Sequence, residues 1–152
     1  MKTAQGMTLI EVLIGIAIFA VVVVISSAVT ASLSTNKVSA DRLAANQAAQ
    51  AFFESVTEYW RTSTAFGNAD PAASPTPFPV PAEINGYNWS LTISDIDMTS
   101  ATFAPKTSVT WTKSSKTAYT ASASATLMDL SLTYTPTASG SSFVNGTEIY
   151  KR

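Results

Sequence analysis

"MTLIEVLIGIAIFAVVVVI" (residues 7–25) is an apolar run that contains one acidic residue, Glu11. As an α-helix the run would extend about 28 Å, close to the hydrocarbon thickness of a bilayer. Lys2 precedes the run, and the next basic residue is Lys37. The positive-inside rule therefore places the N-terminus in the cytoplasm and the remainder of the chain outside. The sequence predicts a single-pass membrane segment followed by an exported part.

Composition excludes several classes of function. The chain has 152 residues, which favours one domain with an appended segment. Its net charge of -1 does not favour a nucleic-acid binder, and its 12% of charged residues is about half the usual share. Cysteine and histidine are absent, so Ser-His-Asp catalysis, Cys-His catalysis and thiolate metal sites are excluded. The sequence therefore predicts neither an enzyme nor a bound metal or cofactor.

Glu11 has three interpretations. Thr8 and Glu11 have the T-x-x-E spacing of a capping box, in which each side chain bonds a backbone donor of the other residue. Residues 1–28 could instead be a secretory signal cut after Ala28, which would leave a secreted carbohydrate-binding or surface-binding β domain. In the third interpretation, an acid inside a membrane segment has a function and a specific partner. A membrane anchor that never assembles is a further alternative.

A family resemblance supplies that partner. The sequence "GMTLIEVL" (residues 6–13) resembles the processing site of type IV prepilins and type II secretion pseudopilins. The resemblance implies a leader of residues 1–6, cleaved by the prepilin peptidase between Gly6 and Met7, with N-methylation of Met7 by the same enzyme. It also implies that Glu11 neutralises the N-terminal amine of an adjacent subunit, within an assembly motif that includes Thr8, Leu9 and Ile10.

The resemblance also implies a structural function. Such a subunit is stored in inner-membrane lipid with its N-terminus in the cytoplasm. An inner-membrane assembly platform then extracts it into a periplasmic or cell-surface filament, where it contacts other pilin or pseudopilin subunits. Met7 replaces the usual phenylalanine, and Ala28 stands where major pilins commonly have proline. Both departures favour a minor pilin or pseudopilin over a major pilin. Motility, adhesion, DNA uptake and protein secretion remain open as uses of the filament.

The remaining sequence predicts a helix that continues into a head. Residues 26–62 contain no glycine or proline, so a helix over about residues 8–62 would be some 80 Å long. No domain of this size can bury that length, so residues 7–33 are predicted to be the transmembrane and assembly half. Residues 34–152 are predicted to form the globular head, which begins with the second half of the helix, residues 34–62. Residues at helical spacing predict its apolar stripe: Leu33, Ala40, Ala44, Ala48, Phe52, Val56 and Tyr59.

The rest of the head is predicted to be β-structure. Residues 66–83 hold five of the seven prolines and predict a rigid extended loop. Alternating apolar and polar residues then predict an antiparallel sheet within residues 87–152, with an additional strand at 118–127 and an Asn145-Gly146 turn that closes the last hairpin. The predicted fold class is α+β, with a long N-terminal helix packed on this sheet, as in type IV pilins.

Three side-chain groups in the head are candidate sites. Asp95 and Asp97 could hold calcium or act as an acid and a base, although they are more simply the polar end of a strand. Three lysines and two aromatic residues form a weak version of a DNA-binding surface, the alternative being an ordinary solvated surface: Lys106, Lys113, Lys116, Trp111 and Tyr119. The triplets that begin at Asn88 and Asn145 match the N-glycosylation pattern.

Overall fold

One helix and four strands make up the regular structure of the computed structural model, which describes residues 9–62, 66–96, 98, 105–138 and 140–151. The elements are α1 (Leu9–Thr62), β1 (Tyr87–Ile96), β2 (Pro105–Thr112), β3 (Leu127–Pro136) and β4 (Phe143–Tyr150). The predicted α+β class, with a long N-terminal helix packed on an antiparallel sheet, is confirmed. The chain divides into two compact units, Met1–Asp41 and Arg42–Arg152.

The part of α1 in the second unit buries one face against the sheet. Alanines and aromatic residues at spacings of three and four form this face, which keeps them on one side of a 3.6-residue helix: Ala45, Ala49, Phe52, Val56 and Trp60. The predicted stripe was wrong at Leu33, Ala40 and Ala44, which are exposed. Repeated steps of four residues drift around a helix, so this stripe left the buried face in its first half.

The sheet has the order β2-β1-β3-β4, and every neighbouring pair is antiparallel. Its inner face packs on the helix and carries the largest buried side chains of the strands. These side chains alternate along each strand, as expected when only one face of a sheet is covered: Trp89, Leu91, Ile93, Trp111, Leu130, Leu132 and Tyr134.

Two predictions within the sheet were wrong. Residues 118–127 do not form a strand up to Leu127, where β3 begins, and their only ladder contact among the described residues is a bridge between Tyr119 and Ala69. Both sides of β1 are already paired, with β2 and β3, so that central strand has no free edge for this segment. Asn145 and Gly146 lie inside β4, opposite Leu132 and Ser131, rather than at a turn. The hairpin turn falls instead between Pro136 and Phe143.

The proline-rich segment contributes to the core as well as connecting helix and sheet. Phe78 is 1% exposed and its ring lies 5.2 Å from the ring of Tyr59, 5.5 Å from that of Trp60 and 5.5 Å from that of Trp111, measured between centroids. Aromatic pairs at these separations stabilise beyond the area they bury. The loop is therefore held in place by an aromatic anchor between helix and strand.

Candidate assembly segment

The N-terminal unit presents an apolar helical surface to its surroundings. Every described residue from 9 to 40 is exposed, and Leu9 is 82% and Phe19 69% exposed. By length and composition this helix could cross a membrane. Monomeric soluble proteins rarely expose contiguous apolar surface of this extent. The surface therefore requires lipid or other protein chains around it.

Polar side chains in this part of the helix bond to its own backbone. The Ser27 hydroxyl donates to the Val24 carbonyl at 2.8 Å, and the Thr30 hydroxyl donates to the Ser26 carbonyl at 2.9 Å. Hydroxyls satisfied in this way need no water, so they are compatible with an apolar environment. The apolar character of the surface therefore extends beyond Ile25.

Gly15 is the one glycine within the described helix, and its own fold does not require it. A Cβ atom placed there would meet nothing within 4 Å. A glycine inside a helix costs roughly 0.5–1 kcal/mol relative to alanine. A reason for this glycine must therefore lie outside the chain, and close approach of a neighbouring helix is one such reason.

The predicted processing and assembly residues fall at the edge of the described structure. Gly6, Met7 and Thr8 lie outside the described residues, and so does the proposed capping bond between Thr8 and Glu11. Leu9, Ile10 and Glu11 are exposed in the first described turn of α1. An acidic residue near a helix N-terminus interacts favourably with the helix dipole.

Asp95, one of the two candidate carboxylates, is buried and anchors neighbouring backbone. One carboxylate oxygen accepts from the backbone N–H of Thr107 at 2.5 Å and from its hydroxyl at 2.7 Å, while the other accepts from the Ser122 N–H at 2.8 Å. These bonds join β1 to β2 and to the connection between β2 and β3. Asp97, the second predicted member of the pair, lies outside the described residues.

The protonation of Asp95 reflects this geometry. Burial raises the pKa of Asp95, but the hydrogen bonds from Ser122 and Thr107 outweigh burial and lower it to about 2. A carboxylate that is already saturated by donors in this way has a structural function. Within the described ranges no group of three or more His, Cys, Asp or Glu residues could hold a metal ion.

The basic and aromatic residues do not form a stacking platform. Trp111 and Tyr119 are buried, and the Trp111 indole donates to the Thr117 carbonyl at 2.7 Å. Each lysine has a partner within the chain: Lys106 donates to Ser124, Lys113 pairs with Glu83, and Lys116 lies over the Trp89 ring. Base stacking needs exposed rings, so this arrangement does not support single-strand binding.

The two glycosylation triplets lie in different surroundings. Asn88 is exposed on β1. Asn145 is half-buried in β4, and its side-chain nitrogen is buried without a hydrogen-bond partner. Of the two asparagines, only Asn88 therefore presents its side chain to solvent.

Sequence reasoning missed two anchoring residues. It gave no function to Trp60, whose indole donates to the Asn68 carbonyl at 2.8 Å and so fixes the chain after α1. The i, i+4 spacing of Phe52, Val56 and Trp60 carries that signal. Asp95 was treated as a strand-end polar residue, and its burial could be inferred from its alternation with Leu91 and Ile93 on the inner face.

Comparison with known proteins identifies the N-terminal segment. Residues 1–27 match the family model described as "Prokaryotic N-terminal methylation motif". A search of curated proteins and a search of solved structures each found no significant match. The exposed apolar helix thus begins within the matched segment. The chain carries the N-terminal methylation motif that is the signature of type IV prepilins and pseudopilins.

Proposed function

We propose that this protein is a structural subunit, a minor pilin or pseudopilin, of a type IV pilus or related filament. The observation that carries the proposal is the continuity between the methylation motif at residues 1–27 and a helix whose apolar side chains are exposed from Leu9 onwards. Subunits with this motif are structural proteins that are processed by the prepilin peptidase and assemble with other pilins. The motif and the helix together indicate membrane anchoring.

The proposal assigns a function to each segment. The peptidase removes residues 1–6 and methylates Met7, and residues 7–33 then remain in the inner membrane until the assembly platform extracts them. In the filament, Glu11 accepts the positive charge of the Met7 amine of an adjacent subunit. Residues 34–152 form the head, which stays outside the membrane and reaches the periplasm or the cell surface.

Two sequence departures support a minor pilin or pseudopilin over a major one, namely Met7 in place of phenylalanine and Ala28 in place of proline. Motility, adhesion, DNA uptake and protein secretion are the uses that such filaments serve, and the assembly argument is the same for each. No contact with DNA is proposed, because Trp111 and Tyr119 are buried in the core.

The N-terminal residue of the protein purified from native membranes tests the proposal. A chain that begins at methylated Met7 supports it, and a Gly6→Ser variant should remain uncut while still inserting into the membrane. A chain that begins at Val29 would mean that residues 1–28 are a discarded signal, and the secreted β domain would replace the filament subunit. An uncut chain in a host that possesses the peptidase would instead favour a plain membrane anchor.

A further inference from the structure

The outer face of the sheet, opposite the helix, carries an ordered set of hydroxyl side chains. We define the hydroxyl face as the outward positions of three neighbouring strands, which are all serine or threonine: Ser90, Thr92 and Ser94 on β1, Ser108, Thr110 and Thr112 on β2, and Ser131 and Thr133 on β3. All of these residues except Ser94 are partly or fully exposed. The face is therefore available to a partner outside the chain.

Strand register arranges these residues in rows. Thr112, Ser90 and Thr133 lie side by side across the three strands, and Thr110, Thr92 and Ser131 form the next row. Neighbours within a row are roughly 4.8 Å apart, and rows are roughly 6.8 Å apart along the strands. The hydroxyl oxygens of Thr92 and Thr110 lie 3.2 Å from each other. The result is a regular array of groups that each donate and accept hydrogen bonds.

The array contains no charged residue, which is unusual for a solvated sheet face. Protein surfaces typically carry about a quarter to a third charged residues. The third row begins with Ser108 and Ser94 but ends in Asp129 on β3 and Glu148 on β4, which face each other directly. The face therefore offers neutral hydroxyls over most of its area and two negative charges at one end.

This pattern favours one class of ligand. Hydroxyls with adjustable donor and acceptor positions, together with threonine methyl groups, match the hydroxyl and C–H groups of a sugar chain. Charge complementarity selects among such chains, because a neutral polymer encounters no repulsion and a polyanion is repelled by Asp129 and Glu148. We propose that the hydroxyl face binds neutral polysaccharide chains. This inference goes beyond filament assembly and does not depend on it.

The test uses the full-length chain in a neutral detergent, by native affinity electrophoresis through gels that contain either hydroxyethyl cellulose or carboxymethyl cellulose. These polymers share one backbone and differ in charge. The neutral polymer should retard the chain in proportion to its concentration, and the anionic polymer should not. The combined variant Thr92→Val/Thr110→Val/Thr133→Val removes three hydroxyls while keeping β-branched side chains suited to strands.

This variant should bind the neutral polymer about tenfold more weakly, because the hydrogen bonds of three hydroxyls are lost. A matched control is Thr120→Val, which changes an exposed threonine outside the face and should leave retardation unchanged. Circular dichroism confirms that each variant is folded. The double variant Asp129→Asn/Glu148→Gln should permit retardation by the anionic polymer and leave neutral binding intact.

Three results would overturn the proposal. The first is an absence of retardation by the neutral polymer, and the second is equal retardation of the triple variant and the parent chain. The third is concentration-dependent self-association in sedimentation velocity that the triple variant abolishes, because the face would then be an interface with a second copy. Loss of binding with normal processing at Met7 would leave the filament proposal untouched, so the two proposals fail separately.

Discussion

Replacing Asp95 with asparagine should destabilise the head by about 2–4 kcal/mol. The wild-type carboxylate accepts three hydrogen bonds, from the N–H and hydroxyl of Thr107 and from the N–H of Ser122. Asparagine offers one oxygen, and its NH₂ group would face a donor that has lost its acceptor. Lowering the pKa from 3.8 to about 2 corresponds to about 2 kcal/mol of preference for the charged form. The unmatched donor adds about 1–3 kcal/mol, part of which relaxation recovers.

The measurement is chemical unfolding of the full-length chain in detergent, followed by tryptophan fluorescence. Trp111 is a suitable reporter because its indole bonds to Thr117, in the same connection that Asp95 holds through Ser122. Asp70→Asn is the matched control. The Asp70 side chain accepts one exposed hydrogen bond, from the Ala72 N–H, and an asparagine oxygen can accept it equally well. We therefore expect the control to change stability by less than about 0.5 kcal/mol.

The pH dependence supplies a second, independent test. Because the folded-state pKa of Asp95 is lowered, its contribution is fully present above the unfolded value near 3.8. It is lost as the pH falls through the folded pKa of about 2. The difference between wild type and Asp95→Asn should therefore be constant above about pH 5 and shrink between about pH 4 and pH 2. Equal unfolding midpoints at neutral pH, or a difference that persists unchanged at pH 2, would refute the reasoning.

The remaining predictions concern the assembly segment, the proline-rich loop and the outer sheet face. Glu11→Gln should leave membrane insertion unchanged but reduce filament numbers counted by electron microscopy, and normal numbers would contradict its proposed pairing with a neighbouring amine. Phe78→Ala should cost about 3–5 kcal/mol in the unfolding assay, whereas Val80→Ala, at a residue that is 44% exposed, should cost little; similar small losses would show that the loop is not anchored. Burial and then repulsion from Glu148 raise the pKa of Asp129, so wild-type stability should increase as the pH falls through that raised value. Asp129→Asn should remove this dependence and stabilise the head by about 0.2–1 kcal/mol at neutral pH, and no gain at neutral pH would argue against the repulsion.

The broad architecture could be predicted from the sequence because its signals are local. A long segment without glycine or proline predicts a helix, and the alternation beginning at Tyr87 predicts the sheet. The spacing of Phe52 and Val56 placed both residues correctly on the buried face. These patterns depend only on the periods of helix and strand, so they do not require knowledge of the tertiary contacts.

The errors arose where long-range pairing determines the local structure. Residues 118–127 alternate like a strand, but both edges of β1 are already occupied. Asn145-Gly146 has the composition of a turn, but pairing with β3 holds it extended. The burial of Phe78 is equally non-local, because the partners of its ring come from α1 and β2. Only the assembled sheet reveals these contacts.

The contrast between the two units identifies what assembly must provide. The head buries its large side chains within itself, whereas residues 9–40 are exposed throughout. In a membrane, lipid satisfies this apolar surface as well as another helix would, so apolar burial alone gives little preference for the filament. An acidic residue in lipid costs about 2.5–3.5 kcal/mol at the membrane centre, and an amine beside it would relieve that cost. In the proposed filament, Glu11 therefore supplies the preference for assembly, and the absent side chain at Gly15 allows the close helix packing on which that pairing depends.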